Sequence, residues 1–343
     1  MPMTTSDDSL RRRLGLFSVA AVATLALSAC GGDNGDDDSS DDGEAAAGIE
    51  IEDDHGTHTL PENIESVGAF DNRVFRTLQE FGVELSVAPV DLMDEEAHSD
   101  YVNDDSIENT GNHNEPDLEP IVSAEPDIAI TGQRYSQYYD DIADLLPEES
   151  VILEWDEGTR DPATFFDGLK EKTETLGTIF GEEDAAQSLN DDLQEQMDRV
   201  DAAYDGEASV MGLLTSGGDI NYSGPVEGRG VAPVFQEFDL VPALEVDEQS
   251  SDHEGDDISV EAIADSNPEW IIVMDRDGMA PDDPDYTPAQ ELIADSPALQ
   301  DVTAVEEDNI VYMPQNMYLT EDIQAYTEFL SDFADALEES QNS

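Results

Sequence analysis

The sequence predicts an α/β protein of two Rossmann-like αβ lobes joined by a single long α-helix, and three observations carry that expectation. The first is an internal echo: "LEPIVSAEPDIAI" (118 to 130) and "VEAIADSNPEWIIV" (260 to 273) share an apolar residue, Glu, any residue, Ile, four variable positions, then Pro and an apolar strand. Glu119 precedes Pro126, and Glu261 precedes Pro268, by seven positions. Each copy reads as a short helix, a turn closed by proline and a buried parallel strand, so one αβ unit is built twice. The second is the alternation of strand and helix along the rest of the chain, which argues for parallel sheets. The third is the stretch 162–204 between the copies. There Phe165, Phe166, Leu169, Leu176, Ile179, Phe180, Leu189, Leu193 and Met197 recur at helical spacing.

Taken in order, residues 1–30 read as an export signal. "RRRLGLFSVAAVATLALSAC" has basic residues, then an apolar stretch too short for a bilayer span of ~20 residues, then small residues before Cys30. Paired arginines point to the twin-arginine route, and "LSAC" reads as a lipobox in which Cys30 is lipidated. The bulk of the chain is then expected outside the cytoplasm, anchored to the outer face of the cytoplasmic membrane. Residues 31–48 form an acidic, self-repelling flexible linker. Cys30 is the only cysteine, which excludes an internal disulfide and a multi-thiolate metal site.

Residues 49–161 form the amino-terminal lobe, with a β-hairpin and strand in "IEIEDDHGTHTLPENIESVGAFDN" and a helix in "RVFRTLQEFG" ending near Gly82. Pro162 suits the first turn of the connecting helix, and Gly181 ends or bends it. Residues 205–343 form the second lobe. A strand and glycine-rich turn lie in "ASVMGLLTSGGDINYSG", a helix in "VAPVFQEFDL", a strand in "NIVYMP" and a terminal helix in "EDIQAYTEFLSDFADALEE".

Composition narrows the partners. The chain has 12 basic and 85 acidic residues, a formal net charge of -73 and 38% apolar residues, enough for a core. Such a surface is tolerable where salt screens self-repulsion to a Debye length of ~3 Å, as in multimolar brine. Nucleic acid is excluded for want of basic patches. Against this background the few bases are informative. Arg73, Arg134, Arg229 and Arg276 all follow predicted strands, where ligands of parallel α/β sheets bind. Permanently charged, forked guanidiniums in one cleft fit an anionic ligand. Tyr135, Tyr138, Tyr222 and Tyr318 stand near them, and Tyr139 is assigned to packing. His55 and His58 belong to a hairpin turn and His98 to a polar loop. His113 and His253 precede the two repeats, a weak basis for a metal site. GxSxG, HExxH and phosphate-loop signatures are missing, so catalysis is the weaker class.

From about Ile49 to Leu337 the chain resembles the iron-siderophore solute-binding lipoproteins of ABC importers, a helical-backbone periplasmic-binding-protein family, and within it the catecholate-binding branch. The likeness is carried by "GQRYSQYYD" and "VMDRD", with "LLTSGGDINYSGPVEGRG", "DDISVEAIADSNPEWIIVMDRD" and "NIVYMPQNMYLT" in support. It implies an anion pocket lined by Arg134, Arg229 and Arg276, to which the strand-end reading adds Arg73, Tyr135 and Tyr222 as further expected lining. His253 and Tyr318 would touch iron where the chelator leaves coordination sites open. Glu119 and Glu261 would dock the two lobes onto the permease. The implied protein is a monomeric, non-enzymatic receptor without a cofactor, its ligand an iron(III) chelate and its partners the permease and ATPase subunits. The residues by themselves also leave open a cobalamin, haem or divalent-metal binder of the same fold, and an anchored extracellular hydrolase.

Overall fold

A computed structural model describes residues 48–246, 249–251 and 253–341. The export signal, Cys30 and all of the acidic linker but Gly48 lie outside the described residues. The chain opens on an antiparallel hairpin, β1 (Glu50–Asp53) and β2 (Gly56–Thr59). Its turn is tied to the lobe behind it, since Asp54 Oδ2 accepts from the backbone of Asp156 and Glu157 at 2.6 and 2.8 Å.

Five parallel strands build the amino-terminal lobe: β3 (Val67–Ala69), β4 (Val87–Ala88), β5 (Glu108–Asn109), β6 (Ile128–Thr131) and β7 (Val151–Glu154). They lie in the order β5-β4-β3-β6-β7. Every residue of β3 and β6 is buried, as a parallel sheet covered on both faces requires. Helix α1 (Phe75–Glu80) follows β3, and α2 (Glu119–Ala124) precedes β6.

The predicted single helix over 162–204 is divided. Helix α3 (Phe165–Phe180) stops at Gly181, which adopts the left-handed φ of 73° that a residue with a Cβ resists, and α4 (Glu183–Ala203) starts two residues later. The two helices pack closely: a Cβ on Gly177 would stand 2.6 Å from that of Ala186. Apolar spacing continues through the break because both helices bury a face, so periodicity alone did not reveal it. The long link is α4, whose Leu189, Leu193, Met197 and Val200 are buried.

The second lobe repeats the plan. Strands β8 (Ser209–Ser216), β10 (Val241–Pro242), β11 (Trp270–Asp275) and β12 (Ile310–Tyr312) run parallel in the order β10-β8-β11-β12, while β9 (Asp219–Tyr222) folds back antiparallel on β8. Helix α5 (Val260–Ser266) precedes β11 as α2 precedes β6. The echo in the sequence is therefore an echo in the fold. Both helices end on a left-handed residue, Glu125 (φ 43°) or Asn267 (φ 47°), immediately before the proline that bars further helix. After β12 come one short helix, α6 (Met317–Thr320), and the terminal α7 (Ile323–Ser340), which packs along α4. The inner faces of both sheets share one core with α3, α4 and α7, and each lobe has a second core on its outer face.

Candidate functional site

The site is assembled where the carboxyl ends of the two sheets face each other. In the amino-terminal lobe, Asp71 organises the loop after β3. Its Oδ1 accepts from the backbone of Arg73 at 3.0 Å, and its Oδ2 pairs with Lys172 of α3 at 2.5 Å, both side chains being buried. The loop after β6 lies against the same carboxylate, where a Cβ on Gly132 would come within 2.7 Å of Asp71 Oδ2. Gln133 and Arg73 then reach the same carboxylate oxygen of Glu321.

Three guanidiniums converge on one ring. The central carbons of Arg134, Arg229 and Arg276 lie 5.0, 4.4 and 5.5 Å from the centre of Tyr318, which is itself 6% exposed. All three distances are within cation–π range. Arg134 Nη2 also donates to the Tyr318 carbonyl at 2.6 Å, and Arg276 Nη1 to Ser216 Oγ at 3.0 Å. Arg73 stands behind this group. Its guanidinium donates to Thr159 Oγ1 at 2.9 Å and to Glu321 Oε2 at 3.1 Å.

Glu321 is the carboxylate inside the cluster. It accepts from Arg229 Nε at 2.6 Å and from Gln133 Nε2 at 3.1 Å besides Arg73. Burial works to raise its pKa, but Arg229, Arg73 and Arg134 outweigh that and hold it down at about 2. Arg134 is shifted down, first by burial and then by Arg229, and among the described residues no carboxylate lies within ion-pair distance of it. Four buried donors of the cluster have no partner among the described residues: Nε of Arg134, Nη2 of Arg229 and Nε of Arg276 around Tyr318, and Nε of Arg73 behind them. Buried unpartnered donors are costly. Beside the cluster is a cavity of about 300 Å³, walled by Arg73, Gln133, Arg160, Arg229, Glu321 and Tyr326. Tyr318 fills the point on which the three arginines converge, and of those three Arg229 also lines the cavity.

The expected lining is corrected at two positions. Tyr135 and Tyr222 are packed in the outer cores of their lobes, 0% and 1% exposed, with their hydroxyls bonded to Thr110 Oγ1 and the Leu244 carbonyl. Alternation along β9 and the short helical turn after β6 point both rings inward, away from the cleft. Arg73 belongs to the cluster through Glu321 and not through Tyr318. His253 is exposed, just before Asp256, which bridges to Tyr222. His113 has a buried, unpartnered Nδ1, and its pKa is lowered by burial and by Arg134 and Arg229, which sets it near the cluster. Glu119 and Glu261 are exposed in the first turns of α2 and α5, one on each lobe. Tyr139 stacks on His55, ring centres 3.7 Å apart. Among the described residues no group of three or more His, Cys, Asp or Glu is gathered as a metal site, and no helix is long and apolar enough to cross a membrane.

Glu321, Gln133, Asp71 and Lys172 were not anticipated. Lys172 had a signal, being one of two lysines in the chain and set among apolar positions of a helix. Glu321 had none, as one acid among 85.

Two parallel-sheet lobes bridged by a helical backbone, with a cleft at their strand ends, define a solute-receptor architecture. The chain belongs to the periplasmic binding protein family, whose model matches residues 67–317. It is 23% identical over 330 residues to the petrobactin-binding protein YclQ of Bacillus subtilis (strain 168), covering 95% of this chain and 99% of that one. The structure is similar to that of the siderophore-binding protein BauB, solved with two molecules of acinetobactin and ferric iron (TM-score 0.71, 20% identity, 84% of this chain and 98% of that chain). It is also similar to the periplasmic catecholate-siderophore binding protein VctP from Vibrio cholerae (TM-score 0.70, 21% identity, 84% and 99%).

Proposed function

We propose that this chain is an extracellular receptor that captures an anionic ferric siderophore of the catecholate type and delivers it to an ABC importer. The observation that carries the reading is the gathering of Arg134, Arg229 and Arg276 on Tyr318, with three buried donors unpartnered, in a protein whose surface is otherwise acidic. A ferric tris-catecholate suits such a site in charge, since six phenolates around one iron(III) leave a trianion. Each charge-assisted hydrogen bond contributes ~1.5 to 3 kcal/mol. Contacts inside a closed cleft survive salt that abolishes long-range steering. The kinship with siderophore-binding proteins supports the same ligand class.

Capture needs no covalent step, so the residues act by binding alone. The arginines supply charge and forked donors, and the Tyr318 hydroxyl and His253 are the groups offered to iron where the chelator is incomplete. Lipidation at Cys30 would hold the receptor at the membrane, and the exposed Glu119 and Glu261, one per lobe, would meet basic residues of the permease. Quenching of intrinsic fluorescence by a panel of ferric chelates in multimolar salt tests the reading. Saturable quenching by ferric catecholates, absent with cobalamin and haem, is the expected result. Saturation by zinc or manganese alone, or none by any ferric chelate, would overturn it.

A further inference from the structure

We propose that Glu321 is the resident counter-ion of the cleft, a specificity-determining carboxylate that keeps the guanidinium cluster assembled while the cleft is empty and sets the charge an arriving ligand must bring. The inference rests on the reading of the cleft as an anion site. Its side chain is 4% exposed and takes donors from both lobes: Arg73 and Gln133 from the first, Arg229 from the second. The other acids nearby are engaged differently. Asp156 lies 3.8 Å from Arg73 but also accepts from Arg160 at 2.8 Å and from the backbone of Gln133 at 3.1 Å. Asp277 meets Arg276 at 3.4 Å from a more open position. Among the described carboxylates that touch the cluster, Glu321 is therefore the one shared between two of its guanidiniums.

The geometry shows orientation as well as neutralisation. Glu321 holds Arg229 by Nε and leaves Nη2 unpartnered, so the arginine is positioned without being used up. The carboxylate is also fixed in place. Glu321 has a left-handed φ of 45° at the junction of α6 and α7, a position that ordinarily goes to glycine or asparagine. On one side Asn72 Nδ2 clamps the carbonyls of Leu319 and Thr320 at 2.9 and 3.1 Å, and on the other Asp322 caps α7 through the Ala325 N–H at 2.8 Å. The backbone that carries the carboxylate is thus held on both sides, and the carboxylate itself by Arg73, Gln133 and Arg229. Its charge opposes each charge on the ligand, so it penalises highly charged anions more than weakly charged ones.

The test compares two ferric probes at one fixed salt concentration: a tris-catecholate, a trianion, and a bis-catecholate, a monoanion. Glu321→Gln is expected to raise the ratio of trianion to monoanion affinity at least tenfold, about 1.4 kcal/mol. Arg73→Gln, which removes a cation next to Glu321, is expected to lower the same ratio. If Glu321→Gln does not fold, the opposite-signed change in Arg73→Gln decides. A purely structural role would weaken both probes in proportion, and an unchanged ratio would overturn the proposal while leaving the receptor reading intact. Pyrophosphate separates the two ideas further through its effect on the unfolding midpoint. If the native chain binds neither ferric probe, but pyrophosphate raises the midpoint more in Glu321→Gln than in the native chain, the counter-ion role stands and the iron reading falls. Equal pyrophosphate shifts in that case overturn the counter-ion role as well.

Discussion

Arg134→Gln separates binding from stability. In the empty protein Arg134 makes one charged hydrogen bond, to the Tyr318 carbonyl at 2.6 Å, and faces Arg229 with no acid of its own among the described residues. Losing that bond costs roughly 1.5 kcal/mol and losing the cation–π contact with Tyr318 about 0.5 to 1 kcal/mol, while relief of the burial of a charge and of the repulsion from Arg229 offsets part of this. The unfolding free energy should then fall by less than the binding free energy does. With ligand present the balance is one-sided. The unpartnered Nε and the charge both serve the anion, and a charge-assisted bond of ~1.5 to 3 kcal/mol corresponds to a loss of roughly 10- to 150-fold in affinity. Chemical unfolding of the empty protein and fluorescence titration with a ferric tris-catecholate in the same multimolar salt read the two quantities. Unchanged affinity, or a fall in stability as large as the fall in binding, would refute the assignment of Arg134 as a ligand group held ready.

Other perturbations follow from the same contacts. Lys172→Met would strand the buried Asp71 carboxylate, and breaking a buried pair in this way should cost ~3 to 5 kcal/mol in unfolding experiments. Gly181→Ala forces a Cβ into the left-handed turn between α3 and α4 and should lower stability by about 1 kcal/mol, with little effect on binding. His98 is buried, its Nδ1 accepting from the Asp94 N–H at 2.9 Å, and burial lowers its pKa to about 4. Its folded value lies below its unfolded one, so its contribution is complete above about pH 6.5 and is lost as pH falls toward 4. Stability measured across that window should fall less steeply in His98→Gln. Asp322, fully buried with its pKa raised to about 6, acts in the opposite sense: it favours the fold below its unfolded pKa and loses that effect as pH rises through 6.

The αβ repeat was legible because its cause is local: a helix stopped at a left-handed residue, then a proline, then a buried strand, twice. The arginines were legible through scarcity, since a base among so many acids must be placed for a reason. What remained hidden depends on long-range partners. Glu321 meets Arg73 across 248 positions of sequence, and Lys172 meets Asp71 across 101. No local pattern encodes either pair. Tyr135 and Tyr222 misled because a tyrosine near a strand end serves equally as a core side chain whose hydroxyl finds a neighbour. Gly181 was noticed, but its choice between bending and ending a helix is made by the packing of α3 on α4.

The location of bound iron tests the central claim most directly. Crystals grown with a ferric tris-catecholate should give one anomalous iron peak in the cavity that meets the cluster at Arg229, with the chelate's phenolates facing the guanidiniums. A peak outside the cleft, or full occupancy there in a variant lacking all three arginines, would contradict it.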